Sequence, residues 1–275
     1  MKKIMIALTV SFMVTFPFQF AYGAETGVIV SIPSFPVTLN ELRYDDNDYV
    51  QYPMLVYKDI TYFPMTFYKS NLMNLNTNWT TAAGLVIARG NPETPKVFLY
   101  EGQGGSRNNR TQSATIVSSK VTVNGKVIDN QREPYPLLRF RDITYFPLTW
   151  RFAVEEFGWS YTFNHADGLN ISADNYFFNG NSSTAYIKGD VKILLDTTFN
   201  RLGPTSGNLH IIKNGEEKTP IGYFGYYQES GPLFSVEGDI IHTTQIIGGD
   251  FNLEENHEAR QPIPCRINIE TGEVF

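Results

Sequence analysis

The sequence predicts an α+β chain: two tandem small modules, each an antiparallel sheet with one helix, followed by an all-β C-terminal domain. Three observations predict it. A segment in the first third returns in the second third, each copy pairs strand–turn–strand patterns with an amphipathic stretch, and the chain after Asp174 holds only short strands between glycine turns. With 275 residues and 42% hydrophobic side chains, two or three cores can be buried.

The repeat is the strongest signal. Residues 52–67 (YPMLVYKDITYFPMTF) return as residues 135–150 (YPLLRFRDITYFPLTW), an offset of 83. On either side the offset is 84: Val37-Thr38-Leu39-Asn40 matches Val121-Thr122-Val123-Asn124, and Gly84-Leu85-Val86-Ile87 matches Gly168-Leu169-Asn170-Ile171.

The second copy reads clearly. Val121 to Val123 is a strand running into Asn124-Gly125, a pair that accepts positive φ at both central positions of a type I′ turn. Lys126 to Ile128 returns. Leu137 to Phe140 and Ile143 to Phe146 flank Arg141-Asp142, a second hairpin. Pro147 opens a helix that Thr149 is able to cap, with Trp150, Ala153, Val154 and Phe157 as its apolar stripe and Gly158 as its stop. Tyr161 to Phe163 and Leu169 to Ile171 close the module as a hairpin. In the first copy Glu41 stands at the turn-glycine position, the helix over 67–75 carries weak formers, and Trp79 falls where the second copy has Phe163, as an aromatic plug.

Beyond Asn179-Gly180, strands are expected at 191–195, 209–212, 221–227, 233–236, 240–245 and 265–269. A phrase at 209–216 echoes 265–273, in the manner of propeller blades. This leaves open a small β domain or a partial β-propeller. The domain plan is therefore a signal over 1–23, module one over 28–90, a linker over 91–115, module two over 116–174, a linker over 175–189 and a β-rich domain over 190–275.

Lys2 and Lys3 precede an uncharged apolar run from Ile4 to Phe20, and Ala21-Tyr22-Gly23 fits a cleavage site. Polar residues within the run favour a cleaved export signal over a retained anchor. The product is then secreted or displayed at the cell surface, with no membrane span after cleavage. A formal charge of −6 argues against a nucleic-acid partner.

The second copy, from Val121-Thr122-Val123-Asn124-Gly125-Lys126 through Ile143-Thr144-Tyr145-Phe146-Pro147-Leu148 to Glu156-Phe157-Gly158-Trp159, resembles the copper amine oxidase N-terminal-like, or stalk, domain. Phe146, Thr149 and Phe157 depart from that family's usual valine, arginine and leucine. The resemblance spans roughly 28–90 and 116–174. It implies a non-catalytic appendage on an exported bacterial protein, with copper and the quinone cofactor belonging to other domains.

Catalytic groups are not expected. His165, His210, His242 and His257 are isolated, and Asn175-Tyr176 runs into Phe177 instead of the acidic residue a quinone precursor needs. Asp45-Asp46-Asn47-Asp48 lacks the spacing of a calcium loop, the glycines at 102–105 lack a following lysine, and Cys265 has no evident base. No metal and no cofactor is expected. The site-like feature is aromatic: Tyr62, Tyr145, Trp150 and Trp159 are the candidate surface contacts for a cell-wall polymer or another exported protein. The leading expectation is an exported non-catalytic binding or scaffolding protein of the cell envelope. The competing one is an extracellular hydrolase with Asp190, Asp196, Asp239 and Asp250 as candidate carboxylates.

Overall fold

The computed structural model describes residues 26–40, 42–44, 48–97, 107–179, 183–197, 207–225, 232–247 and 261–275. The signal region at 1–23, Asp45 to Asn47 and the glycines at 102–105 lie outside them.

The first copy supplies β1 (Gly27–Ser31), β2 (Val37–Leu39), β3 (Leu42–Tyr44), β4 (Leu55–Tyr57) and β5 (Ile60–Pro64). Helix α1 (Phe67–Leu72), β6 (Leu75–Thr80), β7 (Gly84–Arg89) and the short β8 (Lys96–Val97) follow. The second copy repeats the order with β9 (Thr111–Ile116), β10 (Val121–Val123), β11 (Lys126–Val127), β12 (Leu138–Phe140) and β13 (Ile143–Pro147). A helix over Trp150–Glu156, β14 (Ser160–Asn164) and β15 (Gly168–Ser172) complete it.

These strands do not form two separate modules. Six of them close one barrel in the order β1-β4-β5-β13-β12-β9, three from each copy. The remaining hairpins trade partners. β10 of the second copy lies parallel to β7 of the first, and β2 of the first lies parallel to β15 of the second. Ser113 pairs with Ile29, and Phe146 pairs with Phe63. Each residue therefore faces its own counterpart in the repeat, which puts a local two-fold axis through both contacts.

The expected α+β arrangement is thus corrected. The described residues are strand-rich, 53% strand against 7% helix, and the two copies are interlocked in a barrel with flanking sheets. The reason is physical: period-two patterning and turn residues fix a hairpin, but carry no information on which distant segment completes its sheet. At the stretches expected as linkers, residues 111–116 form a strand of the barrel, and residues 175–179 and 183–188 form strands of the large C-terminal sheet.

Two asparagines hold the exchange. Asn40 and Asn124 adopt φ of 45° and 47° at the first position of their turns. The Asn40 side chain donates from Nδ2 to the Leu72 carbonyl at 2.8 Å, at the end of its own helix. Its Oδ1 accepts from the Ala173 N–H at 2.8 Å, just past the last strand of the other copy. Asn124 does the same with Glu156 O at 2.7 Å and Arg89 N at 3.1 Å. Backbone bonds Asn40 N–Ile171 O and Asn124 N–Ile87 O, both 2.9 Å, complete the pair. Nearby, the strands approach so closely that a Cβ on Gly168 would sit 2.2 Å from Pro36 O, and one on Gly84 2.1 Å from Lys120 O.

The helices differ by one residue. The repeat offset is 83 before them and 84 after, so the second copy must absorb an extra residue. It does so by π-winding, with Phe157 N bonding Phe152 O at 2.9 Å. Both helices nevertheless bury the same face: Phe152, Ala153 and Phe157 are buried like their counterparts Lys69, Ser70 and Met73, and Trp150, expected on the apolar stripe, is exposed like Phe67. Thr149 makes no side-chain cap bond, while its counterpart Thr66 accepts from Lys69 N at 3.2 Å. Gly158 ends the helix at φ 70°.

The C-terminal third is one continuous sheet, not blades around an axis. β16 (Asn175–Asn179), β17 (Ser183–Lys188), β18 (Val191–Thr197) and β19 (Gly207–Lys213) run antiparallel, with β20 (Glu216–Lys218) and β21 (Tyr223–Phe224) on β19. β22 (Ser235–Glu237) and β24 (Gln261–Asn268) both pair β23 (Ile240–Ile247). Its core is Tyr176, Ile193, Leu195, Leu209, Ile211, Phe224, Phe234, Ile241 and Ile267. The sheet is fastened to the interlocked body: β8 pairs parallel with β16, Asn175 donates to Leu72 O at 2.6 Å, and Phe177, Ala185 and Ile187 join the main core.

Two outcomes are expected. Asn40→Ala strands a buried carbonyl and a buried N–H and should cost about 3 kcal/mol in denaturant unfolding, while Asn124→Ala, in a solvated turn, should cost about 1 kcal/mol. A chain cut between Val97 and Arg107 should elute as one particle in size-exclusion chromatography without denaturant, because each half holds strands the other needs. Separation into two independently folded pieces would refute the interlocked topology.

Candidate functional site

Of the four aromatic candidates, the structure leaves one at the surface. Tyr62 and Tyr145 do point opposite to Phe63 and Phe146, as alternation requires, but the closed barrel takes the tyrosines into its interior while packed elements cover the phenylalanines outside it. Both tyrosines are fully buried in its interior with Val30, Leu55, Ala114, Leu138 and Phe140. Tyr57 meets Tyr62 edge-on at 6.1 Å, and Phe140 meets Tyr145 at 5.9 Å. Trp159 is buried as well, its Nε1 donating to Met73 O at 2.9 Å across the copies and its ring 4.9 Å from that of Phe63. Those three are core residues. Trp150 alone is open to solvent, 63% exposed, like its counterpart Phe67.

Burial, together with Tyr57 and Tyr135, pushes the Tyr62 hydroxyl well above the ordinary tyrosine range. Burial does the same to Tyr176, whose hydroxyl donates to Phe234 O.

The structure brings together a site the sequence did not indicate. Between edge strand β6 and the β12–β13 turn lies a cleft of about 380 Å³. Met65, Leu85 and Ile143 form its apolar lining; Thr77, Asn78, Ser119, Arg139, Asp142 and Thr144 supply polar groups; Trp79 stands beside them, 64% exposed. Arg139 Nη2 is steadied on Ser119 Oγ at 3.1 Å. Trp79 is therefore not the aromatic plug expected of it, because β6 is the free edge of its sheet.

The local two-fold axis gives this cleft a counterpart with different chemistry. Phe35 occupies the position of Ser119, Val56 that of Arg139, Tyr161 that of Thr77 and Phe163 that of Trp79. Phe35 packs edge-on against Phe163 with ring centroids 5.2 Å apart, so aromatic carbon sits where the first flank is open.

No family model, no curated protein and no solved structure matches this chain.

The other candidates are dispersed. Among the described residues, no three His, Cys, Asp or Glu side chains lie close enough to hold a metal ion, and no helix is long and apolar enough to cross a membrane. Asp48 pairs with Arg107 at 3.0 Å. Asp190 and Asp239 both lie near Lys213, whose ammonium is held above its usual range chiefly by its bond to Glu270. The side chain of Asp196, and Asp250, lie outside the described residues. Burial pushes the Cys265 thiol up, away from thiolate character.

A pH prediction follows from the buried tyrosines. A hydroxyl whose folded pKa is raised contributes stability that is whole below the unfolded value of about 10 and is lost as pH rises past it. In an alkaline titration, the last fraction of tyrosinate absorbance should appear together with loss of the far-ultraviolet dichroism. Complete ionisation with the dichroism unchanged would contradict the closed barrel interior.

Proposed function

We propose that this chain is an exported, non-catalytic binding or scaffolding protein of the cell envelope, and that it holds a cell-wall polymer in the Trp79 cleft. The carrying observation is the display of Trp79 on a rigid edge strand beside Arg139 and Asp142, over an apolar lining. An aromatic face with a few convergent polar groups is the ordinary composition of a ligand site. Lys2, Lys3 and the apolar run to Phe20 support export. The resemblance of residues 121–159 to stalk domains of exported proteins supports an accessory, non-catalytic role. A concave cleft of this size suits a chain of small units better than the broad surface of a second protein.

The test is retention on purified, insoluble cell wall. Wild type should sediment with it, Trp79→Ala should lose most of that retention, and Trp150→Ala should retain it. Absence of retention above background, or equal retention of Trp79→Ala, would overturn the proposal.

A further inference from the structure

We infer that the unit recognised in this cleft is a neutral saccharide ring, stacked on Trp79 and hydrogen-bonded by Arg139 and Asp142. The inference rests on the binding reading above and names its ligand.

The first argument is the platform. Trp79 offers a flat, solvent-open indole, whose negative π-face attracts the polarised C–H groups on one side of a sugar ring. Met65, Leu85 and Ile143 continue that apolar surface into the cleft.

The second argument is the polar inventory. A guanidinium only donates and a carboxylate only accepts, whereas an amide and hydroxyls do both. Arg139, Asp142, Asn78, Thr77 and Thr144 therefore present donors and acceptors around one small space. That mixture suits a ligand of many hydroxyls, each of which is donor and acceptor at once. It suits an apolar ligand poorly, since these groups would be desolvated without partners.

Charge is the third argument. One arginine and one aspartate are the charged groups lining the cleft, and they cancel. An anionic ligand would meet Asp142 and a cationic one would meet Arg139, so the balance favours a neutral one.

The fourth argument comes from the duplication. Around the local axis the same backbone carries Val56, Tyr161 and Phe35 in place of Arg139, Thr77 and Ser119, with Asp59 still matching Asp142. The three changes act together: Val56 and Phe35 each remove a polar group, and Phe35 and Tyr161 add bulk. An open, polar cleft on one flank only is what a dedicated site requires and what packing of the barrel does not.

The experiment titrates the intact mature protein with three neutral probes, the trimers of N-acetylglucosamine, β-1,4-glucose and α-1,4-glucose. The trimer of galacturonic acid serves as the charged control, and binding is read by calorimetry. At least one neutral trimer should bind with 1:1 stoichiometry, and the charged trimer roughly tenfold more weakly. Trp79→Ala should weaken binding roughly tenfold. Ser119→Phe, which installs the side chain the fold accepts at Phe35, should abolish binding with the melting temperature unchanged. If no neutral trimer binds at millimolar concentration while whole cell wall still retains the protein through Trp79, the saccharide assignment falls and the binding reading stands. Sugar binding untouched by both variants would also overturn it. Loss of cell-wall retention itself would sink the underlying reading instead.

Discussion

The architecture turns on a side-chain amide that serves two masters. Asn40 bonds the C-terminal carbonyl of its own helix and the N–H that follows the last strand of the other copy, and Asn124 repeats the arrangement. One residue thereby ends a helix, sets a turn at positive φ and fixes a cross-copy register. The parallel contacts β2–β15 and β10–β7 are only three residues long, too short to be secure as isolated ladders. Closing bonds at both ends, from the asparagines on one side and from Pro36 and Lys120 carbonyls on the other, make them persistent. Neither copy can satisfy these groups alone, so the interlocked form is the one in which the two asparagine side chains and the backbone groups they bond find partners.

Interlocking also explains the aromatic content. The six-stranded barrel needs large side chains in its interior, and Tyr62, Tyr145 and Phe140 fill it. The same strands present Phe63 and Phe146 outward into a second core shared with Trp159, Phe152 and Phe157. Two cores back to back on one layer of strands consume most of the aromatics of the repeat. Among those left over, Phe67 and Trp150, and Trp79 and Phe163, are exposed at equivalent positions in the two copies.

What the sequence made legible was local. Asn124-Gly125 and Arg141-Asp142 both turn at positive φ, and Gly158 stops its helix, because each depends on its own residue and its neighbours. Strands of the C-terminal sheet lie largely where alternation and glycine turns placed them. Pairing across the copies was not legible, since a three-residue strand reads the same whichever partner it takes. Trp150 was placed on the buried helix face by its apolar character, but Phe152 takes that place, and the first copy carried the hint: its equivalent first residue, Phe67, is exposed in the same way. Trp79 could be matched to Phe163 and still not be placed, because exposure there follows from β6 lying at a sheet edge.

Fusion of the two copies into one chain gives the cleft its asymmetry. A symmetric pair of separate identical chains would carry either two open clefts or two filled ones, since each substitution would appear on both flanks. Within a single chain, Ser119 and Phe35 are independent positions, as are Arg139 and Val56. One flank can then be packed with Phe35 against Phe163 for stability while the other gives up that packing to leave room beside Trp79. The sacrifice is small in the fold as a whole, because the cleft meets the shared cores only at their margin, through Met65, Leu85 and Ile143. A duplicated scaffold with one flank filled and one open divides stability and recognition between halves that share a backbone.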